Sequence, residues 1–502
     1  IPKTKIYSEH IAFHCLVPEA ETRPGCGPMY QQFKGLTSSW RLSVSHHLSA
    51  YYLRRESSVT IGTSDFSSCK SKRILIMSLT ADHNASPGSC VLQHYIHPLC
   101  QSALVGEISA DAFWQQIAQS GAPLIEIDPD HSDYSLVTFV FRNDHLAQHI
   151  CVENRFGQPV EQQMTPIEGT DILYLSYRFE NDTRLTYAFA KEMPLVNMAT
   201  AEPEARKSLL KFLEHAQLLP DPFNPQRFDE SRSLLALENS LADDYAKKRD
   251  GIERGWLHEE HFASEILGNE RSIWIYTPAG YDRSDETYPV LLLLDGGGQI
   301  GVGHTHRILD NLIADEKIPP VIAVFIDNAD AETRNVELPC SELFAEFIEV
   351  ELTPWLYHHF PIRSLPTDWY VTGVSYGGLA SLWLAYKMPH QIGNVISQSG
   401  SFWWGTGFSN EEKMNPSSGD YDQRSFIKEL ACVDHLPLRI WLEVGKLEAE
   451  VMLESNRVLR DLLIEKQVNL VYHEFGGTHH FSHWQTSLPL ALVQMMGTAE
   501  TP

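Results

Sequence analysis

The chain has 502 residues, 43% of them hydrophobic and 21% charged, a globular composition with room for two or three domains. Its formal net charge of −26 argues against a broad nucleic-acid surface and against anionic membrane, both of which call for a basic face. It does not exclude a locally basic pocket for a small anion.

The first segment, residues 1–76, is Ser-rich, shows little periodicity and has no initiator Met. It is expected to be an irregular extension; the alternative is that it is not native coding sequence and that translation begins at or near Met77, and it is assigned no function. No stretch near the start has the sustained apolar region of a signal peptide. Of the eight cysteines, five fall in the first 100 residues and none forms a Cys-x-x-Cys pair, so a reducing compartment, the cytoplasm, is expected.

From Ile108, ISADAFWQQIAQSG has helical spacing and Gly121 as its stop. The pieces YSLVTFVFRND, QHICVENR, ILYLSYRF and LTYAFA follow. They are short, rich in β-formers and separated by turn residues, which predicts a small antiparallel β-sandwich over 108–230. LPDPFNPQRF closes it, and the acidic stretch within 231–254 is expected to be an exposed linker.

Over 255–498 the texture changes. RSIWIYTPAGY, YPVLLLLDGGG, PPVIAVFIDNAD, DWYVTGV, GNVISQSG, LRIWLEVG and VNLVYHEFGG read as strands, with helical stretches among them. The apolar runs are far too short to span a bilayer. Near-continuous apolar strands alternating with helices predict an α/β domain with a mostly parallel sheet covered on both faces.

In such sheets function gathers at the carboxyl ends of strands. Ser375, in Gly373-Val374-Ser375-Tyr376-Gly377, follows the strand WYVTGV and precedes a helix. That strand–turn–helix context suits a nucleophile, since the flanking glycines allow a sharp turn. Taken alone, the motif also fits a serine in an ordinary tight turn. A serine hydroxyl needs an adjacent base. GGTHHFSHW, after the last strand, offers His479, His480 and His483. An acid between the two is expected at Glu448, three residues past Gly445, with Glu450 as a spare. The oxyanion hole is expected from the N–H of Tyr376 and from the DGGGQ loop, at Gly297 or its neighbour Gly298. No phosphate-loop or metal-binding pattern accompanies these residues.

With these residues in place, the sequence resembles the enterochelin (enterobactin) esterases, esterase D-type α/β-hydrolases acting on ferric siderophores. The resemblance rests on LLLDG, RNVELPC, GVSYGGLASL, VISQSGSFWW, VGKLE and the late GG…H…W in that order, with YSLVTFVFRND and DPFNPQRF upstream. It implies an N-terminal β-sandwich that helps form the substrate site, followed by an α/β-hydrolase domain. It implies Ser375 as nucleophile and Glu448 as acid. The family writes Gly-Gly-His-Asp-x-x-x-Trp; here Thr478 intervenes and no Asp follows. Counting back from Trp484 selects His479 as base, with His480 as the alternative.

The resemblance further implies hydrolysis of the trilactone backbone of ferric enterobactin or a related catecholate siderophore, releasing dihydroxybenzoylserine units and easing iron release. No cofactor is expected, because Fe(III) arrives with the substrate. A bulky aromatic anion calls for cations and aromatic faces. Arg334, Trp403 and Trp404 follow strands on the active edge and are the expected contacts; His304, His306 and Arg307 are further candidates. The alternative is that Arg334 pairs with Glu337 or another carboxylate and that the tryptophans are core. Two other functions compete: a general esterase D-like carboxylesterase, and a non-catalytic siderophore-binding protein.

Overall fold

The computed structural model describes residues 91–92, 95–143, 147–153, 162–196, 202–281, 286–405 and 425–497. The expectation for residues 1–76 lies outside the described residues.

The N-terminal domain has two antiparallel sheets. One contains β1 (Val91–Leu92), β2 (Leu124–Ile127), β3 (Tyr134–Arg142), β5 (Thr165–Pro166) and β6 (Ile172–Glu180), in the order β1-β6-β3-β2 with β5 beside β6. The other contains β4 (Ile150–Glu153), β7 (Arg184–Lys191), β8 (Leu218–Leu219) and β9 (Ser233–Ala236), gathered around β7. Successive side chains of a strand face opposite sides. In β3 and β6, Val137, Phe139, Leu173, Leu175, Tyr177 and Phe179 meet Tyr187 and Phe189 of β7 in a core between the sheets. Val140 and Ile172 face the other way, under α1 (Pro98–Leu104) and α2 (Ala110–Ser120). That cover is why β3 and β6 are apolar on both faces.

Two features differ from the sequence expectation. A helix, α3 (Pro203–His215), precedes β8. The expected linker 231–254 opens with β9, whose Leu234 and Leu235 are buried and which pairs with β7. The nearby acidic residues hid a short apolar strand, SLLA, that completes the second sheet.

The second domain carries eight strands in the order β10-β11-β13-β12-β14-β15-β16-β17: β10 (Trp256–Ser264), β11 (Asn269–Thr277), β12 (Val290–Leu294), β13 (Ile322–Ile326), β14 (Trp369–Val374), β15 (Asn394–Gln398), β16 (Arg439–Gly445) and β17 (Asn469–Phe475). From β13 through β17 every pairing is parallel, and β10 and β11 extend the sheet antiparallel. Alternation again divides the core. Val290, Leu292 and Leu294 enter one hydrophobic layer, Leu291 and Leu293 the other. Burial on both faces accounts for the unbroken VLLLL run.

The chain order reverses around β12. β13 lies on one side of it and β14 on the other, so the crevice between β12 and β14 is a topological switch point, where open α/β sheets place ligands. Among the described residues no helix is long and apolar enough to cross a membrane.

Candidate active site

Ser375 directly follows β14 and caps α4 (Tyr376–Lys387) with φ 59° and ψ −121°. A positive φ is costly for a residue with a Cβ and persists only where the surroundings enforce it. Here they do. A Cβ on Gly373 would lie 2.5 Å from the Gly377 carbonyl carbon, and one on Gly377 would lie 3.2 Å from Oδ2 of Asp295. The Ser375 N–H donates to the Gln398 carbonyl at 3.0 Å, and its Oγ rests 3.4 Å from Oγ of Ser401.

Glu448 stands three residues beyond β16 with its side chain fully buried. Its Oε2 accepts from Nδ1 of His479 at 2.7 Å. A carboxylate only accepts, so Nδ1 carries the proton and Nε2 keeps the lone pair. Oε1 accepts from the Gly445 N–H at 3.0 Å and from Oγ of Ser399 at 2.5 Å. Ser399 in turn accepts from Nε1 of Trp484 at 3.0 Å. The Trp484 ring also meets the His479 ring edge-on, with centroids 4.9 Å apart. The imidazole is therefore held by the carboxylate on one side and by Trp484 on another. No hydrogen bond joins Ser375 to His479 among the described residues. Such contacts are often long without substrate and tighten when it binds.

The other histidines have different surroundings. Nδ1 of His480 accepts from the Ser482 N–H at 3.1 Å, capping α5 (Phe481–Met496), and its ring packs on Phe228. His483 is buried and stacked on Phe475; burial, and then the charges of His473 and Arg184, hold it neutral. His306 is pushed down to about 4 by burial, with Arg307 and His304 adding to the effect.

The expected contacts Gly297, Arg334, Trp403 and Trp404 each have partners or packing inside the protein. The Gly297 N–H donates to Oδ1 of Asp327 at 3.1 Å, so that amide already has an acceptor in place of a substrate oxygen. Asp327 is buried enough for its carboxyl to sit above the usual range, an effect of lost hydration. Gly298, the alternative, faces the Phe481 ring, which a Cβ there would approach to 3.6 Å. Arg334 is engaged bidentately by Asp295, Nε to Oδ1 at 2.6 Å and Nη2 to Oδ2 at 2.7 Å, and its guanidinium lies 5.6 Å from the Tyr376 ring centroid. Much of its charge is neutralised there, so it braces the Asp295 turn. Trp403 is only 5% exposed, with its ring 6.0 Å from that of Tyr376, and so forms a wall behind Tyr376. Trp404 is partly buried against the main core. Glu337, the suggested partner of Arg334, pairs with Arg271 at 2.9 Å.

Sequence reasoning passed over Asp295, Ser399 and Trp484 as site residues. Asp295 takes φ 60° at the end of β12 and accepts from both Arg334 and Asn328. Each of the three lies in a motif already singled out, and Asp295 and Ser399 directly follow strands. That position was the available signal.

Two family models match the chain. The N-terminal enterochelin esterase model covers residues 136–245 and the putative esterase model covers 264–495. The iron(III) enterobactin esterase of Dickeya dadantii is 27% identical over 425 residues, 78% of this chain and 94% of the relative. The enzyme of that name from Escherichia coli K12 is 27% identical over 66% of this chain and 82% of its own length. The crystal structure of ferric enterobactin esterase from Salmonella typhimurium superposes with a TM-score of 0.63 at 25% identity, over 77% of this chain and 98% of that one. A Shigella flexneri enterobactin esterase structure, determined in the presence of 2,3-dihydroxy-N-benzoyl-serine, gives 0.59 at 25% identity over 77% and 98%. The two family matches fall in order on the β domain and the α/β domain, and the chain belongs to the enterochelin esterase family.

Proposed function

We propose that this chain is a serine esterase that cleaves the trilactone ester backbone of ferric enterobactin or a closely related catecholate siderophore. The observation that carries the chemistry is the Glu448–His479 pair, set on the same sheet edge as the strained Ser375 turn. The substrate class comes from the relatives named iron(III) enterobactin esterase and from the Shigella enzyme's benzoyl-serine ligand.

In this reading His479 Nε2 takes the Ser375 hydroxyl proton while Oγ attacks an ester carbonyl. Glu448 orients the ring and stabilises the imidazolium that forms. The Tyr376 N–H, and the Gly297 N–H once it leaves Asp327, receive the charge on the carbonyl oxygen. Collapse breaks the ester C–O bond, and His479 returns the proton to the departing serine hydroxyl. Water then attacks the acyl-enzyme by the same route and frees the acid. Repetition yields dihydroxybenzoylserine units and weakens the hold on iron, which enters and leaves with the substrate. The described cysteines, Cys100, Cys151, Cys340 and Cys432, are free thiols, which suits the cytoplasmic setting we assign.

The test is product analysis of ferric enterobactin digestion beside Ser375→Ala. Linear trimer, dimer and monomer from the parent chain only is the expected result. Turnover of a simple aryl ester without cleavage of the siderophore would overturn the substrate assignment.

A further inference from the structure

We infer that Arg184, in the N-terminal β domain, is a positioning residue that holds the His479 segment from both ends. The inference rests on His479 being the base, as proposed above.

Arg184 opens β7, after the turn that joins it to β6. It lies 298 residues from the segment it holds. Its backbone N–H donates to the Gly476 carbonyl at 2.7 Å, just before the histidine. Its Nε donates to the Ser482 carbonyl at 2.8 Å, just after it. One residue thus fixes the chain three positions before and three positions after His479. The guanidinium is 4% exposed and is itself held, by Asp243 at 3.1 Å and by the Leu241 carbonyl at 3.4 Å.

The same turn makes a second connection. Oδ2 of Asp182 accepts from the Gly476 N–H at 3.1 Å and from Nζ of Lys446 at 3.1 Å, and Lys446 also pairs with Glu180. Lys446 lies one residue past β16, two before Glu448. The turn therefore links the loop of the acid to the loop of the base. The fit is close: a Cβ on Gly476 would collide with the Asp182 carboxylate, and one on Gly477 would lie 3.2 Å from the Arg184 carbonyl oxygen.

These contacts give the β domain a part in catalysis separate from binding substrate. Reacting groups must be held to within a fraction of an ångström, and a displacement of about 1 Å costs on the order of 100-fold in rate. Losing the clamp loosens the imidazole without altering the pocket, so kcat falls while KM stays.

The test compares Arg184→Ala and Asp182→Ala with the parent chain on ferric enterobactin and on a short-chain aryl ester. Arg184→Ala is expected to lower kcat about 10- to 100-fold on both substrates with KM within about twofold, and millimolar methylguanidinium is expected to restore part of the loss. Asp182→Ala leaves the buried guanidinium in place and is expected to lower kcat about 3- to 10-fold, again with KM unmoved. It decides the matter if Arg184→Ala does not fold. Parental kcat in Asp182→Ala together with parental kcat, or an effect on KM alone, in Arg184→Ala would overturn the proposal; parental kcat in Asp182→Ala alone overturns it where Arg184→Ala is unfolded. If the parent cleaves only the aryl ester, the siderophore assignment fails and the clamp is still read from kcat. If the parent cleaves neither, the base assignment fails and the clamp with it.

Discussion

Nδ1 of His479 lies 2.7 Å from Oε2 of Glu448, whereas the adjacent His480 turns its own Nδ1 to the Ser482 N–H at the start of α5. Two neighbouring histidines that the sequence left in competition have different structural partners. On the proposed role of His479 as base, His479→Ala is expected to lower kcat by at least about 10³-fold, as removal of a triad member does elsewhere. His480→Ala is expected to keep kcat within a few-fold and to lower thermal stability by about 1 kcal/mol, the cost of a lost helix cap. Steady-state kinetics and melting curves on the two variants check this. The reverse pattern would transfer the base to His480.

Trp484 reaches Glu448 through one hydroxyl, Nε1 to Ser399 Oγ and Ser399 Oγ to Oε1. Removing that hydroxyl leaves a fully buried carboxylate short of a donor. Ser399→Ala is expected to reduce kcat about 10-fold with little change in KM, since hydrogen bonds to charged groups contribute roughly 1.5–3 kcal/mol and only part of that acts on the imidazole. Trp484→Phe removes the donor to Ser399 but retains the ring beside His479, so its loss should be smaller. A change in KM alone for Ser399→Ala would contradict the supporting role.

The division of the chain into an antiparallel β domain and an α/β domain was legible because burial on two faces writes itself as unbroken apolar runs such as VLLLL. The placement of Ser375, Glu448 and His479 on one edge was legible because each follows an apolar strand, and strand ends converge on one edge of a parallel sheet. The β9 strand was not, because three apolar residues, Leu234, Leu235 and Ala236, near acidic ones carry too little periodicity to register. Arg334 was read as facing substrate because the sequence shows where a cation lies along the chain and not which carboxylate it meets. Asp295 is that carboxylate, placed by a left-handed turn at the end of β12. Arg184 had no signal at all, because its partners are set by the docking of one domain on the other.

Arg334 and Asp295 form a partly buried, bidentate pair against the Ser375 turn, with a Gly377 Cβ position only 3.2 Å from the carboxylate. Truncating one partner leaves the other charge beside the Ser375 turn without compensation. Arg334→Ala and Asp295→Asn are each expected to lower kcat. The double variant should be less impaired than the product of the two, with a coupling of about 1–3 kcal/mol in a double-mutant cycle. If Arg334→Ala raises KM alone and shows no coupling to Asp295, the guanidinium contacts substrate and does not brace the turn.

His306 provides a pH prediction independent of catalysis. Burial, then the charges of Arg307 and His304, push it down to about 4 from an ordinary value of 6.5. The unfolded chain takes up a proton at this residue as the pH falls through about 6.5, while the folded chain does not until about 4. Over that window the unfolded state binds more protons, so stability rises with pH and is lost progressively on acidification. Above about 6.5 neither state carries the proton, and below about 4 both do, so the loss is confined between the two values. His483, held low by burial and by the charges of His473 and Arg184, acts in the same direction. His306→Gln removes one titrating group, and its melting temperature should fall less than that of the parent between pH 7 and pH 5. Parallel melting curves for parent and variant across that range would mean that His306 titrates as it does in the unfolded chain.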